Sequence, residues 1–143
     1  MQAFSYRARF IILFMGLCIT YGSYAQSFRL HGQIKGKDTG TIVLRYINDN
    51  YNNQVDTATL LNGAFIVEGR VSGASYAYLN TDPYNIQEAR PGKKYDHNFF
   101  IEPGTLKMVS RDGAIGKATI TGSVLQRQWE TYQQQERLFL KKL

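Results

Sequence analysis

A chain of 143 residues with 17 Lys and Arg against 11 Asp and Glu carries a formal net charge of +6, and it holds a single cysteine. That length is one ordinary domain, and a lone cysteine excludes any disulfide within the chain. The basic excess argues little for a polyanion partner: Lys93-Lys94 and Lys141-Lys142 are the only adjacent basic pairs, and neither sits in the interleaved basic and aromatic pattern of a nucleic-acid surface.

In chain order, the first 25 residues read as an export signal. MQAFSYRARF carries Arg7 and Arg9 and no acid, FIILFMGLCI (10–19) is apolar, and the chain then turns small and polar. A basic start, a short apolar core and a small-residue exit are the parts of a secretory signal peptide. Ser23-Tyr24-Ala25 meets the small-x-small requirement, which places cleavage between Ala25 and Gln26. The apolar run falls short of the roughly 20 residues that cross a bilayer. Lipidation of Cys18 is the lesser alternative, because Leu17 stands where a small residue is needed and Met15 lies two further back. Without the leader, 118 residues remain with 15 basic against 11 acidic side chains and no cysteine. Such a chain is exported, to the periplasm or cell envelope, relies on burial for stability and performs no thiol chemistry of its own.

From 27 to about 121 the text alternates between apolar and polar residues and is punctuated by glycine, as strands and turns are. In SFRLHGQI, Phe28, Leu30, Gly32 and Ile34 share one face, and Arg29, His31 and Gln33 the other. KGKDTG is a turn, after which TIVLRYI (41–47) is expected to pair back on the first strand as a hairpin. NDNYNNQ is a polar loop. VDTATLLNGAFIVEGRV reads as two strands joined at Asn62-Gly63, since both residues tolerate positive φ. In the second of them Gly69 leaves room for a bulge or a close approach. SYAYLNT (75–81) is a strand, and DPYNIQEARPGKKYDH (82–97) is a long connection, the kind of segment that most often carries function. NFFIEPGTLKMVS gives two short strands around Pro103-Gly104, and KATITG closes the sheet region.

The last segment changes period. Leu125, Trp129, Tyr132, Phe139, Leu140 and Leu143 recur at helical spacing with Glu136 interrupting, and Ser123 stands three residues before Gln126 as a capping box. The helix runs to Leu143 without a stop signal, so either it frays there or the chain is cut short of a following domain. Trp129 is expected to anchor it in the core.

Motifs that carry chemistry are sparse. His31 and His97 lack a second histidine or a cysteine at ligand spacing, and both read as exposed. No Gly-x-Ser-x-Gly elbow accompanies Asp96 and His97, and Gly32, Gly36 and Gly40 lack the Gly-Lys-Ser/Thr ending of a phosphate loop. No cofactor, metal or catalytic residue is assigned. The tyrosines are mostly strand filler, with Tyr84, Tyr95 and His97 on the long connection, together with Phe139 and Leu140 on the helix, as the tentative ligand or partner surface.

The order FRLHGQIKGKDTGTIVLRYI, VDTATLLNGAFIVEGRV, AYLN, FFIEPGTLKMV, ATITGSVLQRQWETYQ resembles the domain of unknown function found ahead of the thioredoxin-like domain (AhpC/TSA type) in exported bacterial thiol-disulfide oxidoreductases. Its most specific pieces are Asp56 with Asn62-Gly63-x-Phe65, Phe100 to Gly104, and Thr121-Gly122-Ser123 before the aromatic helix. In longer members of that family a Cys-x-x-Cys pair in the following domain performs the redox step, and no such residue is present here to carry over.

The expectation is an all-β domain, an antiparallel β-sandwich or partly open barrel (26–122). One C-terminal amphipathic α-helix (123–143) covers an apolar face, and a cleavable signal peptide (1–25) precedes both. Its function is that of a non-catalytic accessory or interaction domain, with a thioredoxin-like domain or another envelope protein as partner. It touches no nucleic acid, and the membrane only through the leader unless Cys18 is lipidated. The alternative is a standalone binder of glycan or peptide through the 82–97 loop.

Overall fold

The computed structural model describes residues 26–81 and 96–142. Among them eight strands form one sheet: β1 (Ser27–Ile34), β2 (Thr39–Ile47), β3 (Asn53–Leu61), β4 (Ala64–Arg70), β5 (Ser75–Asn80), β6 (Asp96–Ile101), β7 (Gly104–Ser110) and β8 (Thr119–Thr121). A single 3-10 turn (Ile115–Lys117) precedes β8, and one helix, α1 (Val124–Leu140), follows it. The cleavage site between Ala25 and Gln26, and Tyr84 and Tyr95 on the long connection, fall at or beyond the limits of the described residues.

The strands lie in the order β6-β5-β2-β3-β4-β1-β7-β8, antiparallel throughout except for the parallel pair β1–β7. Alternation drives the architecture. Phe28, Leu30 and Ile34 from β1, Ile42 and Leu44 from β2, Phe65 and Val67 from β4, Leu79 from β5 and Phe99 and Ile101 from β6 all enter one cluster. Leu60, Leu106, Met108 and Ile120 add β3, β7 and β8 to it. Eight strands can share one core only if the sheet curls round it, so the sheet is a nearly closed barrel. The gap between β6 and β8 is bridged by the 3-10 turn and by the start of α1 rather than by a strand ladder.

The expected hairpin between 27–34 and 41–47 does not form. β1 pairs with β4 and β7, while β2 pairs with β3 and β5. The link from Ile34 to Thr39 instead arches over the β3–β4 hairpin, with Ile34 N–H donating to the Gly63 carbonyl at 2.7 Å and Gly63 N–H to the Asp38 carbonyl at 3.4 Å. That hairpin fits because its turn is as tight as turns come: Asn62 (φ 51°) and Gly63 (φ 78°) both take left-handed backbone, as the Asn-Gly pair implies. A β-carbon at Gly63 would lie 2.7 Å from the Ile34 carbonyl oxygen, so no side chain fits under the arch.

Where β2 pairs with β3, three polar side chains satisfy one another. Tyr46, buried among apolar residues and edge-on to Phe28, donates to Asp56 Oδ2 at 2.6 Å, and Gln54 Nε2 donates to Asp56 Oδ1 at 2.8 Å. Burial, then the Asp56 carboxylate, push the Tyr46 phenol up, so it stays neutral at any physiological pH. This is tyrosine as strand filler with a satisfied hydroxyl. Gly69 provides the close approach expected of it, because a β-carbon there would meet the Tyr46 hydroxyl at 2.1 Å.

Candidate interaction surface

The helix does not lie along the barrel. Among its residues only Gln126 is buried, and Trp129, expected in the core, is 41 % exposed. The physical reason is that the core is already complete within the barrel, so α1 is held mainly by its first turn, with one further ring contact from Trp129 to Phe100. That turn is pinned by polar contacts. Ser123 Oγ accepts from Gln126 N–H at 2.9 Å, as the capping pattern implies. The reciprocal half of the capping box is absent. Gln126 Oε1 instead accepts from Phe100 N–H at 2.9 Å, and its Nε2 donates to Glu130 at 2.8 Å. A glutamine side chain thus takes a backbone group of β6 that no strand pairs.

Glu102, at the β6–β7 turn, fills the vacated role. Its carboxylate accepts from the Ser123 hydroxyl at 2.5 Å and from Leu125 N–H at 3.1 Å. The Ser123 hydroxyl, with the backbone N–H groups of Leu125 and Val124, holds the Glu102 carboxyl below the usual carboxylate range against a smaller opposing effect of burial.

From this seat a run of aromatic rings extends outward. Tyr76 on β5 meets Phe100 on β6 at 5.3 Å between centroids, Phe100 meets Trp129 edge-on at 6.0 Å, and Trp129 stacks on Tyr132 at 5.9 Å. Tyr76 and Tyr132 are more than half exposed. Four rings in contact across the outside of the barrel form an apolar surface with hydroxyl groups at its ends, the composition that protein interfaces favour.

The model of one protein family matches residues 28–129, the whole barrel and the first turns of α1. The chain belongs to the DUF4369 family, a domain of unknown function. No curated protein matches the chain, and no solved structure does. The DUF4369 match takes in Tyr76, Phe100 and Trp129, while Tyr132 and the end of α1 lie beyond it.

Of the residues singled out from the sequence, His97, Phe139 and Leu140 lie among the described ones. Phe139 and Leu140 are exposed near the end of α1, 65 % and 60 % respectively. His97 is not an exposed loop histidine. It belongs to β6, stacks on Phe99 at 5.7 Å, and has a buried Nε2 with no hydrogen-bond partner among the described residues. Tyr76, Phe100 and Trp129 as a joint surface were not legible, because β5 and β6 are neighbours across the long 81–95 connection, which is shorter than the expected 82–97 loop at its end since Asp96 and His97 belong to β6. The one available signal was the placement of Tyr76 and Phe100 at outward positions of adjacent strands.

Two other places carry polar groups. Arg29 and Glu68 form an ion pair across an open depression of about 420 Å³, lined also by Ser27, Phe28, Gly69, Gly104 and Thr105. Arg70 pairs with Asp49 at 2.8 Å. In both, the charges answer each other. Among the described residues no three His, Cys, Asp or Glu side chains converge as metal ligands would.

His97 makes the barrel gap sensitive to pH. Burial lowers its pKa from 6.5, against the Gly116 backbone and the Glu130 carboxylate, which favour the charged ring. The unfolded chain therefore takes up a proton at higher pH than the folded one. Stability is complete above about pH 6.5, the ordinary value for histidine, and declines as pH falls below it. Urea midpoints measured from pH 7.5 to 5.5 are expected to fall for the wild type. His97→Phe should flatten that slope, and an unchanged slope would show that another group is responsible.

Proposed function

We propose that this DUF4369 domain is a non-catalytic accessory module of an exported thiol-disulfide oxidoreductase, and that it holds a thioredoxin-like domain against the Tyr76–Phe100–Trp129–Tyr132 surface. One observation carries the reading: outside a complete core, barrel and helix together set four aromatic rings in a contiguous run, with Phe100 half-buried and Tyr76, Trp129 and Tyr132 open to solvent. Exposed, joined aromatic surface is costly to leave bare and is characteristic of docking sites. The resemblance of the motif order to domains that precede thioredoxin-like domains supplies the kind of partner. Residues 26–143 contain no cysteine, so in this reading the dithiol chemistry is the partner's and the barrel contributes position. The basic, apolar and small-residue run of 1–25 supports export to the periplasm.

The chain has one tryptophan, so an isotope-labelled sample of residues 26–143 gives a single indole N–H resonance to follow. Titration with a thioredoxin-like Cys-x-x-Cys domain from an exported oxidoreductase of the same organism is expected to shift that resonance saturably. Tyr132→Ala should weaken binding by about 2 kcal/mol, roughly thirtyfold, as truncation of an interface aromatic does. An indole resonance that stays in place at saturating partner concentrations would end the proposal.

A further inference from the structure

The end of α1 differs from the aromatic surface in shape and charge. Leu138, Phe139 and Leu140 are consecutive and all more than half exposed. At 100° per residue they spread over about 200° of the helix circumference. A helix groove or a second helix covers an apolar stripe of about half that width, so neither would bury all three. Arg137 precedes them and Lys141 and Lys142 follow, which makes 137–142 a run of three cations and three large apolar side chains with no acid; Glu136 is the nearest one. Cations near a helix C-terminus also suit the helix dipole, but that accounts for the charges and not for three bare apolar residues between them.

We infer that the 137–142 tip of α1 binds the surface of an anionic lipid bilayer. A membrane interface is the one apolar medium that surrounds a tip instead of covering a face. It takes Leu138, Phe139 and Leu140 below the headgroups while Arg137, Lys141 and Lys142 reach back to lipid phosphates. The helix lies in or enters the interface and does not cross it, since no helix among the described residues is long and apolar enough to span. The contact is separate from the aromatic surface, and it holds whether or not a thioredoxin-like domain docks there.

The test uses residues 26–143, which include the whole core cluster from Phe28 to Ile120. Co-sedimentation is measured with vesicles of phosphatidylcholine containing a minority of phosphatidylglycerol, and with phosphatidylcholine alone. Binding is expected to the anionic vesicles and to weaken as salt rises. Neutralising Arg137, Lys141 and Lys142 to glutamine should cost roughly fivefold per cation, on the order of a hundredfold in all. Leu138→Ser, Phe139→Ser and Leu140→Ser together should also abolish sedimentation while circular dichroism of the barrel is unchanged, because all three side chains are exposed. Absence of sedimentation at low salt overturns the inference, and so does equal binding to both kinds of vesicle. Binding to heparin that survives the serine triple variant would assign the tip to a soluble polyanion and overturn it equally.

Discussion

Replacing Gly32 by alanine is expected to destabilise the barrel by about 1–3 kcal/mol, the cost of overpacking a filled core. A β-carbon at this position would lie 1.9 Å from Phe65 Cε1, and the ring is itself part of the buried core cluster. Phe65→Ala alone should cost about 3–5 kcal/mol through the cavity it leaves. The pair in one chain is expected to cost less than the sum, since the added methyl enters the space the ring has left, with a coupling of about 0.5–3 kcal/mol between contacting residues. Urea unfolding of the four proteins measures this directly, and strictly additive costs would show that the ring and the glycine do not share that space. The strand register sets up this contact. Gly32 is directly opposite Phe65, and Phe28 is directly opposite Gly69, so each of β1 and β4 lays a phenyl ring across the other's glycine. A β-carbon at Gly69 would meet the Phe28 ring at 2.7 Å. Two reciprocal aromatic-glycine pairs press these strands together, and β1 pairs on its other edge with β7.

Local chemistry in this chain was legible, and pairing at a distance was not. Asn62-Gly63 announces its turn because positive φ is a property of the two residues themselves, and the inward face of β1 follows from alternation alone. The choice of partner for β1 depends on which hairpin slides beneath the Ile34–Thr39 link, and nothing in 27–47 encodes that. The same limit governs the helix. Ser123 is readable as a cap, yet the partner of Gln126 is a backbone N–H of β6 more than 20 residues away. Helical periodicity placed Trp129 on an apolar stripe and said nothing of whether the core had room for it. His97 reads as polar in a polar neighbourhood, and its burial arises only when β6 meets the 3-10 turn across the barrel gap.

The double variant Ser123→Ala with Gln126→Ala is expected to unseat α1 while the barrel stays folded. Losing the serine cap costs about 0.5–2 kcal/mol, and leaving Phe100 N–H without Gln126 costs about 1–3 kcal/mol if water cannot replace it. Those sums matter because α1 has little else: of its 17 residues only Gln126 is buried, and an isolated helix of that length is marginal in water. The negative ellipticity at 222 nm should fall by most of the helical contribution, Trp129 emission should move to the red as the ring leaves Phe100, and the barrel's own unfolding midpoint should move less. Helicity and Trp129 emission both intact would mean that α1 is held by something other than its first turn. Acid should act on the same seat through Glu102. Its folded pKa is depressed by the Ser123 hydroxyl and the Leu125 and Val124 N–H groups, so its contribution is complete above the ordinary value of 4.5 and is lost only as pH falls through the lower folded value. The His97 contribution declines first, below about pH 6.5. Acidification is therefore expected to weaken the barrel gap before it releases the helix, and the aromatic surface that α1 completes persists into mild acid.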